Sequence, residues 1–163
     1  MSYVLPVAPP ASVPVQGETD ARFAVHRIYC VGRNYAEHAR EMGFTGREAP
    51  FFFLKPADAV LAVADGEVGR LHYPSLTADL HHEVELVVAI GKGGRDIAAA
   101  DAMAHVWGYA VGLDMTRRDL QGEMKKQARP WCIGKAFEES APIGALRRAA
   151  DAVNEVRAAD PDA

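Results

Sequence analysis

The stretch Leu80-His81-His82-Glu83-Val84-Glu85-Leu86-Val87-Val88-Ala89-Ile90, closed by Gly91, decides how this chain folds. Its second half is short, rich in Val and bounded by Gly, which is the composition of a strand. In a strand alternate side chains share a face, so Glu83 and Glu85 point one way and Val84, Leu86, Val88 and Ile90 the other. The second set makes a solid apolar face, and the run becomes apolar on both faces, so at least its end is expected in a core. Two carboxylates at this spacing repel, and partial burial strengthens the repulsion. A divalent cation would turn that liability into a binding site. An edge strand whose glutamates face water satisfies the same pattern.

Working outward, Trp107–Leu113 returns as a second apolar strand and delivers Asp114 at its end. Between the two strands, Asp96 is placed to cap a helix over the alanine-rich Ala98–His105. Thr116 followed by Asp119 has the form of a capping box opening a helix to about Arg129, with Lys125, Lys126 and Arg129 near its C-terminal end and Pro130 stopping it. Upstream, Arg27–Val31 and Pro50–Leu54 read as strands, Asn34–Met42 as a short helix closed by Gly43, and Asp65-Gly66 as a turn between short strands. Residues 1–24, with Pro6, Pro9, Pro10 and Pro14, read as an extended leader. Residues 25–144 form the one expected domain, and 145–163, rich in Ala, Arg, Asp and Glu, a polar tail.

The 163 residues suffice for one cored domain and are too few for two. A net charge of −4 with scattered basic pairs gives no reason to invoke nucleic acid or an anionic membrane. No apolar stretch is long enough to span a bilayer, and the proline-broken N-terminus lacks the form of a signal peptide, so the expected compartment is the cytoplasm. Cys30 and Cys132 are too few for a disulfide framework and sit among apolar neighbours, as buried reduced thiols would.

Three acids on strand ends, Glu83, Glu85 and Asp114, make an all-oxygen set. Such a set favours Mg²⁺ or Mn²⁺, with Ca²⁺ a further candidate, over zinc. Taken singly, Asp114 reads equally as a turn or cap residue. His38 and Glu41 lie three apart on the expected helix, where Glu41 can orient the imidazole to take a proton from water, or the pair simply decorates a surface. Lys135, in Ile133-Gly134-Lys135-Ala136-Phe137, is either a snorkelling surface lysine or a buried cation awaiting an anionic oxygen.

The order of these signals carries more than any one of them. The stretches Tyr29-Cys30-Val31-Gly32-Arg33-Asn34-Tyr35-Ala36-Glu37-His38, Phe53-Leu54-Lys55-Pro56, Leu80–Leu86, Gly108–Asp119 and Lys135-Ala136-Phe137 together resemble the fumarylacetoacetate hydrolase family, within it the short bacterial fumarylpyruvate hydrolases and acylpyruvases. The resemblance covers about Arg22 to Gly144. It implies an α+β fold, a mixed β-sandwich or roll with short helices, assembled as a homodimer. It implies that Glu83, Glu85 and Asp114 hold the metal, that His38 and Glu41 activate water, and that Lys135 steadies developing negative charge. Arg33, Arg118 and Gln121 fall where such enzymes line the substrate pocket.

The implied activity is metal-dependent hydrolysis of a carbon–carbon bond in a 2,4-dioxo acid, above all fumarylpyruvate to fumarate and pyruvate in the breakdown of aromatic compounds such as gentisate. Oxaloacetate decarboxylation is the alternative from the same chemistry. Family members continue past the position of Gly144 with further strands, a Val-Asn-Gly-Glu-like hairpin and a Gly-Thr-Pro-x-Gly-Val-Gly loop. Only Val153-Asn154-Glu155 echoes these here, so the chain reads as C-terminally truncated, and an inactive fragment or assembly partner is a third expectation.

Overall fold

The computed structural model describes residues 2–32 and 49–152. Eleven strands are found among them: β1 (Ser12–Pro14), β2 (Arg22–Ala24), β3 (Ile28–Gly32), β4 (Phe51–Lys55), β5 (Val60–Ala62), β6 (Leu80–His81), β7 (Val84–Ile90), β8 (Val106–Leu113), β9 (Thr116–Arg117), β10 (Ala141–Ile143) and β11 (Arg147–Arg148). The short α-helices α1 (Arg118–Lys126) and α2 (Cys132–Lys135) follow β9, and residues 149–152 are helical after β11. This is the expected mixed β architecture with few, short helices. The helix expected over Asn34–Met42 lies outside the described residues.

Strand β8 is the hub. It pairs antiparallel with β7 from Val84↔Leu113 to Ile90↔Val106, with an irregularity between Ala89 and Ile90. It also pairs antiparallel with β10 and with β11, and β10 runs parallel to β5. Three antiparallel pairs, β1–β2, β3–β4 and β6–β9, flank this sheet. The core gathers Val13, Ala89, Ala110, Ile143 and Leu146, with Phe23, Val25, Val60, Val87 and Trp107 packed on it.

Several expectations are corrected. The leader of residues 1–24 contains the β1–β2 pair, and Val13 is in the core. Pro14 is compatible with β1 because its carbonyl, which needs no N–H beside it, accepts a hydrogen bond from the Leu146 N–H at 2.8 Å. The expected polar tail begins inside the fold: Leu146 is buried, its carbonyl accepts from the Gln16 N–H at 2.9 Å, and Arg147 and Arg148 pair with Tyr109 and Gly108. Asp96 caps nothing; it has a left-handed φ of 51°, and Ala99–His105 is a 3-10 segment preceded by Ala98.

The capping box fails for a tertiary reason. Thr116 lies in β9 with its hydroxyl donating to the Asp114 carbonyl, while the Asp119 carboxylate accepts from Thr77 Oγ1 and the Ala78 N–H. Helix α1 therefore starts without a side-chain cap and ends at Lys126, three residues short of expectation. Asp65-Gly66 is a turn, with Gly66 at φ 75°, a left-handed value that glycine adopts without strain, but no strand follows until Leu80.

Alternation holds in β7, with the carboxylate side inward: Val84, Leu86 and Ile90 are 61, 63 and 57% exposed, while Glu85, Val87 and Ala89 face the interior. Of the strand's end, expected in a core, Ala89 is buried and Ile90 is not. Val87 and Ala89 fill the core behind β8, and the carboxylate face meets cationic partners described next. Cys132 is exposed rather than buried, and Cys30 is half-buried.

Candidate metal and anion site

The register of β7 against β8 continues one step beyond the strands. The Asp114 N–H donates to the Glu83 carbonyl at 2.8 Å and the Glu83 N–H returns to the Asp114 carbonyl at 3.3 Å. Residues that exchange both bonds sit directly opposite, so their side chains leave the sheet on one face. Glu85 is two residues along on the same face, opposite Gly112. Two neighbouring acids and a third from the end of β8 are thereby set on one side of two paired strands.

Lys135 meets them from α2. Its Nζ donates to Glu83 Oε2 at 2.8 Å, Asp114 Oδ2 at 2.6 Å and Thr116 Oγ1 at 2.6 Å. The residue is 2% exposed, so the buried-cation reading of this lysine is the correct one. Its placement depends on Gly134: a Cβ there would lie 2.9 Å from the Gln121 backbone nitrogen, so a side chain would push α2 off α1. Trp131, at the head of α2, packs on Phe51 and Phe53 with ring centroids 5.5 and 5.9 Å away, tying α2 to β4.

Strand β4 contributes a residue that the sequence reading quoted in a motif but gave no role. Lys55 is also 2% exposed. Its Nζ donates to the Met115 carbonyl at 3.0 Å and to the Lys135 carbonyl, and forms an ion pair with Asp114 Oδ1 at 2.8 Å. Burial pulls its pKa below the ordinary lysine value, and Asp114 pushes back. The available signal was a cation closing the apolar run Phe51–Leu54 just before Pro56, where a lysine has no water to reach. Two buried ammoniums thus share Asp114.

Glu83 has a second cation. Arg118, the first residue of α1, hydrogen-bonds Glu83 Oε1 and is steadied by Gln121 Oε1, 2.6 Å from its Nη1. Burial alone would raise the Glu83 pKa, but hydrogen bonds from Lys135 and then Arg118 outweigh it and hold the group at about 2. A carboxylate depressed from 4.5 contributes stability that is present above 4.5 and lost as pH falls toward about 2. Melting temperature should accordingly drop across that window, and Glu83→Gln should flatten the drop; an unchanged acid limb in the variant would contradict the pairing.

Cys30, on the inward side of β3, borders the same charges. Burial first, and Asp114 next, raise its thiol to about 11 against the opposing pull of Lys55 and Lys135. It is a neutral wall of the site rather than a thiolate.

Of the nine residues expected at the site, the structure brings together Glu83, Asp114, Lys135, Arg118 and Gln121. Glu85 shares their strand face, but among the described residues no three His, Cys, Asp or Glu side chains are grouped closely enough to hold a metal. Arg33, His38 and Glu41 lie outside the described residues. The donor chemistry nonetheless suits a hard divalent cation. Glu83 and Asp114 already share one cation between Oε2 and Oδ2, and all the donors are oxygens.

Residues 27–161 match the model of the fumarylacetoacetate hydrolase C-terminal family. The crystal structure of fumarylpyruvate hydrolase from Pseudomonas aeruginosa, in complex with Mn²⁺ and pyruvate, is 58% identical with a TM-score of 0.88, over 93% of this chain and 65% of that one. A mitochondrial oxaloacetate decarboxylase of Dictyostelium discoideum is 45% identical over 72% of this chain and 52% of its own length. The mitochondrial oxaloacetate tautomerase FAHD1 of Bos taurus is 47% identical over 73% of this chain. The chain spans about half the length of these two relatives, 52% in each case. Among the described residues, no helix is long and apolar enough to cross a membrane.

Proposed function

Because the chain belongs to the fumarylacetoacetate hydrolase family, we propose that it carries the metal and anion half of a site that hydrolyses a carbon–carbon bond in a 2,4-dioxo acid, fumarylpyruvate in the first instance. The observation behind this reading is the opposition of Glu83 and Asp114 across β7 and β8 with one cation between them. Glu83, Glu85 and Asp114 would hold Mn²⁺ or Mg²⁺, which when bound supplies Lewis acidity toward the oxygens of the dioxo acid.

Arg118, fixed by Gln121, presents a guanidinium suited to the substrate carboxylate. His38, oriented by Glu41, takes a proton from the attacking water. Water adds to the distal carbonyl, the bond to the methylene carbon breaks, and the acyl group leaves as a carboxylate with pyruvate as the second product. Lys135 stabilises the negative charge that develops on the pyruvate fragment, and a donor in that role is worth about 10²–10³-fold in rate. Under this proposal the enzyme is a cytoplasmic homodimer serving the breakdown of aromatic compounds.

The oxaloacetate decarboxylase relative favours a second reading, decarboxylation of oxaloacetate, in which no water attacks. Both substrates should be assayed with Mn²⁺ and after chelation, in the parent and in His38→Ala. Hydrolysis of fumarylpyruvate that disappears with chelator and in His38→Ala supports the first reading. Turnover of oxaloacetate alone, indifferent to His38→Ala, supports the second. No turnover of either substrate, with no Mn²⁺-induced rise in melting temperature, leaves an inactive piece or assembly partner.

A further inference from the structure

We propose that the Lys135 ammonium is a built-in counterion: it keeps Glu83 and Asp114 assembled before metal arrives and must be exchanged for the metal. Lys135 then sets metal affinity from inside the site. The inference rests on the reading that Glu83, Glu85 and Asp114 are the ligands.

An ammonium has three donors and no acceptor. All three of those on Lys135 are engaged, two of them on the carboxylates assigned to the metal, at Glu83 Oε2 and Asp114 Oδ2. A divalent cation set between Glu83 and Asp114 would take the position that the ammonium now holds, and the two charges repel strongly at contact distance in a buried site. The two therefore compete for it.

The anchoring of the two buried lysines decides which ammonium gives way. Lys55 is held by two backbone carbonyls, of Met115 and Lys135, which no metal would claim. Lys135 has only one neutral acceptor, the Thr116 hydroxyl, and loses its other two to the metal. It also carries a flexible four-carbon stem beside the Phe53 ring, whose centroid lies 5.0 Å from Nζ. Lys55 and Arg118 stay on Asp114 Oδ1 and Glu83 Oε1, so both carboxylates remain braced while Lys135 withdraws. The displaced ammonium, without a carboxylate partner, becomes available to an anionic oxygen of the substrate. Metal loading and readiness of the anion-binding lysine are therefore one event.

The test is Mn²⁺ titration by calorimetry without substrate, with melting temperatures recorded with and without Mn²⁺. It compares the parent, Lys135→Met, Lys135→Gln and Glu85→Gln. Removing the competing charge should tighten Mn²⁺ binding about tenfold or more in both Lys135 variants, equivalent to about 1.4 kcal/mol. Both should melt lower than the parent without metal and show the larger Mn²⁺-induced rise. A Lys135→Met chain that folds only with Mn²⁺ supports the exchange equally, and Lys135→Gln, which keeps a polar head, guards against a packing failure. Affinity equal to or weaker than the parent's in both variants overturns it. Undiminished affinity in Glu85→Gln instead removes Glu85 from the ligand set, whatever Lys135 does. Absence of Mn²⁺ binding in parent and Lys135 variants alike overturns ligand reading and exchange together.

Discussion

Asp114→Asn should destabilise the chain by about 3–5 kcal/mol, the range found when one partner of a buried ion pair is removed. Asp114 is buried, and both of its oxygens face ammonium groups, Oδ1 toward Lys55 and Oδ2 toward Lys135. The amide is nearly isosteric, so packing is unchanged and the loss is electrostatic. It replaces the charge that two cations share with a group that can accept from at most one of them through its oxygen and turns donors toward the other. Denaturant unfolding measures the effect. A loss under about 1 kcal/mol, the level of an exposed pair, would mean that water reaches this cluster.

Lys55→Met should cost a comparable amount, about 3–5 kcal/mol, for the converse reason. The methionine fills the volume but leaves the Met115 and Lys135 carbonyls without their donor and Asp114 with one cation fewer. Combining Lys55→Met with Asp114→Asn separates the causes. If the two act through their mutual pair, the double variant should lose less than the sum, with a coupling of about 0.5–3 kcal/mol. Strict additivity would show that Lys55 serves the two carbonyls alone, as a brace between β4 and the segment after β8.

Much of this arrangement was legible in the sequence because it rests on short-range pattern. Val84–Ile90 and Trp107–Leu113 announced themselves by composition, and both strands appear at almost those bounds. The face shared by Glu83 and Glu85 followed from the period of two. Which face turns inward did not follow, because alternation is symmetric. Four large apolar residues make one face, and the structure turns that face out. Inward acids require compensating charge, and that charge comes from α1 and α2, 35 and 52 residues away from Glu83 in sequence.

The helix signals failed where distant partners claimed the capping groups. Thr77 and Ala78 take the Asp119 carboxylate, and Lys135 takes the Thr116 hydroxyl as its neutral acceptor. Lys55 was missed because a lone lysine is ordinarily read as exposed. Its three acceptors come from β8's far end and from α2, and nothing local to Phe51–Pro56 records them.

Leu146 bonds through its backbone to Pro14 and Gln16, so the segments on either side of this contact are separated by most of the described chain. Joining such distant points costs loop entropy that grows with the logarithm of the intervening length, and chains dominated by contacts of this kind reach the native state slowly. The clasp gains by waiting until β5, β8 and β10 have already drawn its two sides together, which makes it a late step in assembly and an early place for the sheet to loosen.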